Sequence, residues 1–354
     1  MAAGRLLPSA TNQQAARQPV QKSFMKIAVV GLGAVGGLMT ARLSGVGHEV
    51  CALARGATLA AVRERGLRLV MNGVQTCAPI AASDNAQALG PQDLVIVALK
   101  GPSLAAAAQA MQPLISAQTI VMPAMNGVPW WFLNTGPAAV PLADLPIASI
   151  DPDGRIASLL PLHRVLGCVV HLTCSSPEPG LVRHGFGDRL IVGEPAGGPS
   201  QRADAVCAAL AQGGFKCEGS SDIRHDIWYK LWGNMTMNPV SAITGATTDR
   251  MLDDPLVRAF ILRTMEEAAL IGARIGCPIT QSGEERLALT RQLGVFKTSM
   301  LQDTQAGRAL ELDALVSAVH EIGARLKLAT PNIGALLGLT RLMGRERGLY
   351  PLAT

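Results

Sequence analysis

Apolar residues up to about residue 221 occur in short runs that are separated by turns rich in glycine and proline. Runs of this length are typical of buried strands in a parallel sheet, and the longer segments between them have helical character. Asn72-Gly73 lies inside an alternating stretch and indicates a β-hairpin. The predicted strands are 27–30, 49–53, 93–100, 119–127, 163–176, 180–186 and 189–195, and the predicted helices are 34–43, 58–65, 103–115 and 201–212.

From Asp222 onward the pattern predicts helices alone. Asn238 precedes Pro239, and because proline disfavours helical geometry in the residue before it, we expect the first of these helices to bend or end there. At 354 residues the chain is long for one core, so it is expected to divide near residue 221 into an α/β half and an all-helical half. The predicted helices are 223–237, 239–250, 255–275, 280–292 and 305–327, with a last one after Pro331.

The sequence "GLGAVG" at 31–36 matches the GxGxxG pattern of dinucleotide-binding turns. The pattern alone is weak, but here it follows a buried strand, opens a helix and lies in a βαβ unit. We therefore predict an α/β fold, with an N-terminal Rossmann-type dinucleotide-binding domain over 25–221 and an all-α C-terminal domain over 222–345. The alternative is a glycine-rich turn without a ligand. The predicted cofactor-binding residues of the turn are Gly31, Leu32, Gly33, Ala34, Val35 and Gly36.

The end of the second predicted strand indicates which dinucleotide is bound. NAD sites usually place an acid there for the ribose hydroxyls, whereas this strand ends with Ala54 and Arg55, and Glu49 lies at its other end. A guanidinium suits a phosphate through its charge and its paired donors. We predict NADP(H), with Arg55 on the 2′-phosphate; the competing interpretation is a solvated loop arginine.

Composition and charge exclude several other classes of protein. The net charge of +5 is spread along the chain without a basic run, so nucleic-acid binding is not expected, although the positive excess suits anionic small molecules. The seven cysteines form no CxxC pair, which favours reduced thiols and a cytoplasmic location. His163, His171 and His184 lack metal-ligand spacing, so no metal is expected. Every long apolar run is interrupted, so no membrane span is predicted either.

The first 24 residues differ from the rest of the chain. They contain no acidic residue and few large apolar ones, and they lack the continuous apolar core of a signal peptide. A faint likeness to a transit peptide is outweighed by two other interpretations, a disordered tail or a start codon assigned too early. Met25 would be a natural start, because the fold signal begins directly after it.

The segment "YKLWGNMTMNP" at 229–239 places Lys230, Asn234 and Asn238 four residues apart, on one face of a continuous helix. It is accompanied by the glycine turn, Lys100 at the end of a strand, "MNGVP" at 125–129, "SMLQD" at 299–303 and "ELD" at 311–313. In this order the motifs resemble those of the ketopantoate reductases (2-dehydropantoate 2-reductases). The resemblance covers residues 25 to about 340, and the lysine–asparagine and "SMLQD" motifs are more specific than the glycine turn.

The resemblance implies an NADP-dependent reductase of 2-keto acids, acting on 2-dehydropantoate. Lys230 matches the family's general acid, and Glu311 matches its glutamate near the substrate and the lysine. Lys100 matches the cleft lysine, and it is expected with Asn126 on the cofactor side. The expected partner is a small 2-keto acid, and a homodimer is left open. The residues that match substrate-binding positions are Asn126, Asn234, Asn238 and Ser299.

Individual residues also have plainer interpretations, and the chain departs from the family pattern around the expected cleft. Lys230 and Glu311 could be surface charges, and Ser299 could be a helix cap. Trp130-Trp131 follows the asparagine loop, and 151–155 is a further insertion. These departures leave open a different 2-keto acid, and a 3-hydroxyacid dehydrogenase remains an alternative. The alternative that is not an enzyme is an NADP-sensing regulatory protein, against which the joint presence of Lys230 and Glu311 argues.

Overall fold

The structure, a computed structural model, describes residues 24–135, 142, 146–292 and 294–352. Apart from Phe24, the predicted N-terminal extension lies outside the described residues. Across those described ranges, no helix combines the length and the apolar character that a membrane crossing requires.

The elements alternate in the first half and are helical in the second. The strands are β1 (Lys26–Val30), β2 (Glu49–Leu53), β3 (Leu67–Met71), β4 (Val74–Ala78), β5 (Ala81–Ser83), β6 (Gln92–Val97), β7 (Ile115–Pro123), β8 (Gly167–Glu178), β9 (Leu181–Gly193) and β10 (Lys216–Ser220). The helices are α1 (Ala34–Ser44), α2 (Gly56–Arg65), α3 (Leu104–Ala110), α4 (Arg155–Leu159), α5 (Gln201–Gln212), α6 (Ile223–Thr244), α7 (Thr248–Asp253), α8 (Pro255–Arg274), α9 (Gly283–Gln292), α10 (Ser299–Gln305), α11 (Ala318–Arg325) and α12 (Pro331–Glu346).

A five-stranded parallel sheet with the order β5-β2-β1-β6-β7 carries the glycine turn. Residues 27–30 of β1 and 94–97 of β6 are buried, as expected for central strands that are covered on both faces. The turn that follows β1 therefore lies at the carboxyl edge of the sheet, beside the ends of β2 and β6. This is the edge at which open α/β sheets bind ligands.

A second sheet has the order β10-β9-β3-β4, with β8 added along β9, and helix α1 packs against strands of both sheets. The predicted hairpin is confirmed: β3 and β4 pair antiparallel across Asn72 and Gly73, which both have positive φ. The prediction of separate strands at 180–186 and 189–195 is wrong, because β9 is one continuous strand. Gly187 has a φ of 81° and the β8–β9 pairing shifts register, so this strand bends without ending.

Helix α6 is the central helix of the second half and continues through Pro239, so the predicted end there is wrong, and a bend at Pro239 stays a prediction. An interior proline costs about 3 kcal/mol in an isolated helix. Here most residues from Leu231 to Ala242 are buried, and α6 packs against α8, α10 and α12. That packing outweighs the local preference, and the helix ends instead at Gly245, whose φ is 73°.

The predicted helix over 305–327 is wrong in its first part, because the chain is not helical from Ala306 to Glu311 and helical geometry begins only at Leu312. Thr298 caps α10, and its hydroxyl accepts from the Leu301 amide. A π-helical turn over Asp313–Ser317 then leads into α11. The non-helical segment ends with Glu311, the acid that is expected in the site from the sequence.

The two halves share a buried core. Phe132, from the first half, stacks on Trp228 of α6 at 5.8 Å between ring centroids, and Arg224 donates to the Phe132 carbonyl at 2.9 Å. The predicted fold class is confirmed: a Rossmann-type α/β half is followed by an all-helical half. Between them lies the cleft that holds the candidate site.

Candidate active site

The glycine turn is shaped to accept an anion at the start of α1. Gly31 has a φ of 97°, and a Cβ on Gly36 would lie 1.9 Å from the Gly31 carbonyl oxygen, so both positions require glycine. A Cβ on Gly33 would meet nothing within 4 Å. Helix α1 has no side-chain cap and no acid in its first turn, which leaves its amides available to a phosphate.

A cavity of about 670 Å³ extends from the glycine turn along the cleft. Its volume suits a large ligand, and its walls come from both halves of the chain. The exposed Arg55 precedes α2 and lines this cavity. Its wall also includes Lys100, Ser299 and Glu311. Asp84, which the sequence reasoning missed, also lines the cavity, and its carboxylate lies 3.6 Å from the Arg63 guanidinium.

A second cavity of about 170 Å³ adjoins the first, and the two share Met125, Asn126 and Glu311 in their walls. Lys230 and Asn234 supply polar groups to the smaller cavity. The remainder of its wall is mainly apolar and includes Leu104, Ala105, Trp130, Trp131, Ile150, Ile156 and Ile227.

Lys230 is held by two acceptors at the junction of the cavities. Its Nζ donates to Asn126 Oδ1 at 2.8 Å and to the Val170 carbonyl at 2.6 Å. Burial lowers the pKa of Lys230 from 10.5 to about 8, and the nearby Glu311 opposes this shift. Cys168 also faces the lysine, but burial raises the pKa of its thiol to about 12 and keeps it neutral. The lysine is therefore a proton donor with a pKa near neutrality.

Glu311 also contacts Asn126, the residue that accepts a hydrogen bond from Lys230. Burial raises the pKa of Glu311 from 4.5 to about 7, with Asp303 adding to the shift. The ammonium groups of Lys100 and Lys230, and a hydrogen bond from Asn126, act in the opposite direction. Asn126 thus connects an acid and a base that both titrate near neutral pH, an arrangement common in catalytic sites.

The loop that carries Asn126 docks directly on the helical half. The Val128 amide donates to the Ala314 carbonyl at 2.8 Å. Gly127 has a φ of 89°, and a Cβ there would lie 2.5 Å from the same oxygen. This close approach requires glycine, and it places Asn126 beside Glu311.

The two asparagines that follow the lysine on α6 have different surroundings. Asn234 lies in the wall of the smaller cavity. Asn238 is 5% exposed, and its Nδ2 donates to Ser299 Oγ at 3.2 Å. Ser299 lines the larger cavity, so Asn238 reaches the site through that hydroxyl. The suggestion that Ser299 caps a helix is wrong, since Thr298 is the cap of α10.

An ion-pair cluster, which the sequence reasoning did not assign, joins the halves near the larger cavity. Asp303 is 8% exposed and lies 2.7 Å from Lys100 Nζ and 2.9 Å from Arg308 Nε. The Lys100 ammonium also donates to the Ala309 carbonyl at 2.8 Å. Asp303 belongs to the "SMLQD" motif, whose final acid is the signal that could have identified it.

Within the described ranges, no three His, Cys, Asp or Glu side chains are grouped so that they could hold a metal ion. The site residues are those of an acid–base centre beside a dinucleotide-sized cavity.

Comparison with known proteins identifies the family. The sequence model described as ketopantoate reductase PanE/ApbA matches residues 27–134, and the model of its C-terminal part matches residues 222–344. A 2-dehydropantoate 2-reductase from Mesorhizobium japonicum is 40% identical over 92% of this chain and 100% of its own length.

Solved structures agree with this assignment. The crystal structure of a candidate ketopantoate reductase from Ralstonia solanacearum MolK2 is 55% identical, with a TM-score of 0.89, and the match covers 93% of this chain and all of that one. D-mandelate dehydrogenase in a complex with NADH and anilino(oxo)acetate has the same fold, with 21% identity and a TM-score of 0.80 over 92% of this chain and 100% of that one. With its two matched sequence models and its glycine turn, the chain belongs to the ketopantoate reductase family of dinucleotide-dependent oxidoreductases.

Proposed function

We propose that this protein reduces 2-dehydropantoate (ketopantoate) to pantoate with NADPH. The observation that carries the proposal is the buried ammonium of Lys230, joined through Asn126 to Glu311 where the two cavities meet. The 40% identity with a protein named 2-dehydropantoate 2-reductase supports this substrate.

The dinucleotide occupies the larger cavity in this proposal. The turn at 31–36 holds the pyrophosphate, Arg55 binds the 2′-phosphate, and Lys100 and Asn126 face the reactive end. Open space at Gly33 and uncapped amides at the start of α1 fit that use. When bound, NADPH supplies the hydride that is added to the keto carbon of the substrate.

Lys230 is the general acid of the proposed reaction. An ammonium has three N–H donors, and the contacts with Asn126 and Val170 use two of them. The third is available to the keto oxygen, where it stabilises the developing negative charge and then transfers its proton. A pKa of about 8 keeps the lysine mostly protonated at neutral pH while easing release of that proton.

The other polar groups bind and orient the substrate. The Glu311 carboxylate accepts a hydrogen bond from a substrate hydroxyl or balances the lysine charge. Asn234, and the Asn238–Ser299 pair, offer amide and hydroxyl groups that bind a carboxylate or a hydroxyl without adding charge.

We also propose that residues 25–221 form the dinucleotide-binding domain and residues 222–345 the substrate domain. Strands end at Ser220 and α6 begins at Ile223, which supports a division there. A cytoplasmic location stays a prediction. The sequence leaves open whether the protein is a homodimer, and the molar mass from light scattering tests this.

A panel of 2-keto acids tests the proposed function, with NADPH consumption as the readout. We expect turnover of 2-dehydropantoate with the native chain and its loss in Lys230→Ala. Tight NADPH binding without turnover of any acid would favour the regulatory protein instead. NADP⁺-dependent oxidation of 3-hydroxyacids alone would favour the 3-hydroxyacid dehydrogenase.

A second candidate is the reduction of a 2-keto acid with a bulkier apolar side chain. Trp130 and Trp131, 4% and 2% exposed, contribute to a mainly apolar wall in the smaller cavity. This wall offers more apolar contact than a small, hydroxylated side chain needs. A higher kcat/KM for branched or aromatic 2-keto acids than for 2-dehydropantoate would favour this candidate.

A further inference from the structure

The chain continues beyond α12 in a short segment, residues 347–352, that returns to the segment bearing Glu311. The match to the family's sequence models ends at residue 344. The Leu349 carbonyl accepts a hydrogen bond from the Leu310 amide at 3.0 Å, and both side chains are buried. This bond holds the residue directly before Glu311.

The same segment holds the chain on the other side of Glu311. Tyr350 Oη donates to Asp313 Oδ1 at 2.5 Å, and Ser317 Oγ donates to the same oxygen at 3.1 Å. Asp313 lies in the wall of the smaller cavity. Hydrogen bonds to a carboxylate are stronger than those between neutral groups, so this contact is a firm anchor.

The end of the segment is itself fixed to α12. A Cβ on Gly344 would lie 2.9 Å from Tyr350 Cβ, so glycine is needed for this close packing. Arg345 Nε donates to the Pro351 carbonyl at 3.0 Å, and the guanidinium lies 6.0 Å from the Tyr350 ring centroid. Tyr350 is therefore anchored on a helix, whereas Glu311 belongs to a non-helical stretch.

We propose that Tyr350 is a positioning residue that fixes Glu311 in the site by anchoring Asp313, while Leu349 of the same segment holds Leu310. The proposal rests on the proposed function for its catalytic consequence. The Val128 amide holds Ala314, the residue after Asp313, so two contacts fix the chain that follows Glu311. Loss of the Tyr350 hydroxyl removes the contact with Asp313 and lets the carboxyl group of Glu311 move away from Asn126.

Tyr350→Phe in the full chain tests the proposal, because it removes the hydroxyl alone. We expect kcat to fall about tenfold, with the KM for NADPH unchanged. The acid limb of the pH profile should move to lower pH, because burial is the largest cause of the raised pKa of Glu311, about 7, and better solvation outweighs the loss of the Asn126 hydrogen bond, which lowers that pKa. Ser317→Ala, which removes the longer bond to Asp313, should have a smaller effect.

Tyr229→Phe is the matched control. Tyr229 Oη donates to Gln281 Oε1 at 2.7 Å, so the same substitution removes a tyrosine hydrogen bond to a neutral acceptor without touching the residues around Glu311. A merely structural role for Tyr350 predicts a loss of thermal stability in each variant and an unchanged pH profile in both. That result would overturn the proposal.

Hydrogen–deuterium exchange separates this inference from the proposed function. In Tyr350→Phe, exchange should accelerate in residues 306–314 and stay unchanged in α6. Unchanged exchange in residues 306–314 would refute the positioning role even if the native enzyme were active. If the native chain turned over no acid, the proposed function would fail, and the exchange experiment would still decide whether Tyr350 anchors the segment.

Discussion

Replacing Lys230 by methionine should abolish most activity while leaving the fold nearly as stable as before. Methionine keeps the length and apolar stem of lysine and removes the ammonium. The effect on stability has two opposing parts. Removal of the buried charge is favourable, since a pKa lowered from 10.5 to about 8 corresponds to roughly 3 kcal/mol.

The unfavourable part is the loss of the donor to Asn126 and Val170. An unsatisfied buried acceptor costs about 1–3 kcal/mol, and Asn126 lies in the wall of the smaller cavity, where water relieves part of that cost. The two parts nearly cancel, so the free energy of unfolding should change by less than about 2 kcal/mol.

The effect on catalysis has no such compensation. A positioned general acid contributes about a hundred- to ten-thousandfold in rate, equivalent to about 3–5 kcal/mol of activation free energy. We therefore expect kcat to fall by at least about a hundredfold, with little change in NADPH affinity.

Steady-state NADPH consumption gives the activity, and urea unfolding gives the stability. Lys216→Met is the control, because it makes the same substitution at a lysine whose side chain is 76% exposed. It should leave kcat unchanged. Retention of more than about a tenth of kcat in Lys230→Met would refute the assignment of the general acid. A loss of more than about 2 kcal/mol in the free energy of unfolding would refute the expected cancellation between removing the buried charge and losing its hydrogen bonds.

Three further predictions concern the dinucleotide and the acid–base pair. Arg55→Ala should raise the KM for NADPH about tenfold or more and leave the KM for NADH unchanged. An equal rise in the two KM values, or a preference of the native protein for NADH, would contradict the contact between Arg55 and the 2′-phosphate. The kcat/KM for keto-acid reduction should be greatest between about pH 7 and 8. It should fall on the alkaline side as Lys230 loses its proton and on the acid side as Glu311 gains one. A flat profile from about pH 6 to 9 would count against Lys230 as the acid and against an ionised Glu311 in the site. Gly36→Ala should weaken NADPH binding at least about tenfold and lower the free energy of unfolding by about 1–3 kcal/mol, because the new Cβ would lie 1.9 Å from the Gly31 carbonyl oxygen. Fluorescence titration measures the binding and thermal melting measures the stability. Normal NADPH binding would contradict the close packing at Gly36.

Local sequence was sufficient for features whose cause is local. The glycine turn, the hairpin at Asn72-Gly73 and the change to an all-helical half follow from glycine conformation and apolar spacing, and the structure agrees with each. Lys230 and Asn234 lie where a single helical period places them, along one wall of the smaller cavity.

Local preference failed where distant parts of the chain pack on each other. Pro239 is a helix breaker by itself, yet α6 continues through it because three other helices bury that stretch. The apolar pattern predicts a helix for the segment that carries Glu311, but contacts with Val128 and Leu349 hold this segment in a non-helical form next to a π-helical turn.

The acid–base properties of the site also depend on tertiary structure. Asn126 and Lys230 are 104 residues apart in sequence and 2.8 Å apart between Oδ1 and Nζ. Burial brings the pKa values of Lys230 and Glu311 toward neutrality, an environment that no local pattern encodes. The sequence by itself determined which chemical groups the protein has and which elements carry them. Folding decided their neighbours and their degree of burial, because desolvation and hydrogen bonding act between groups that are distant along the chain.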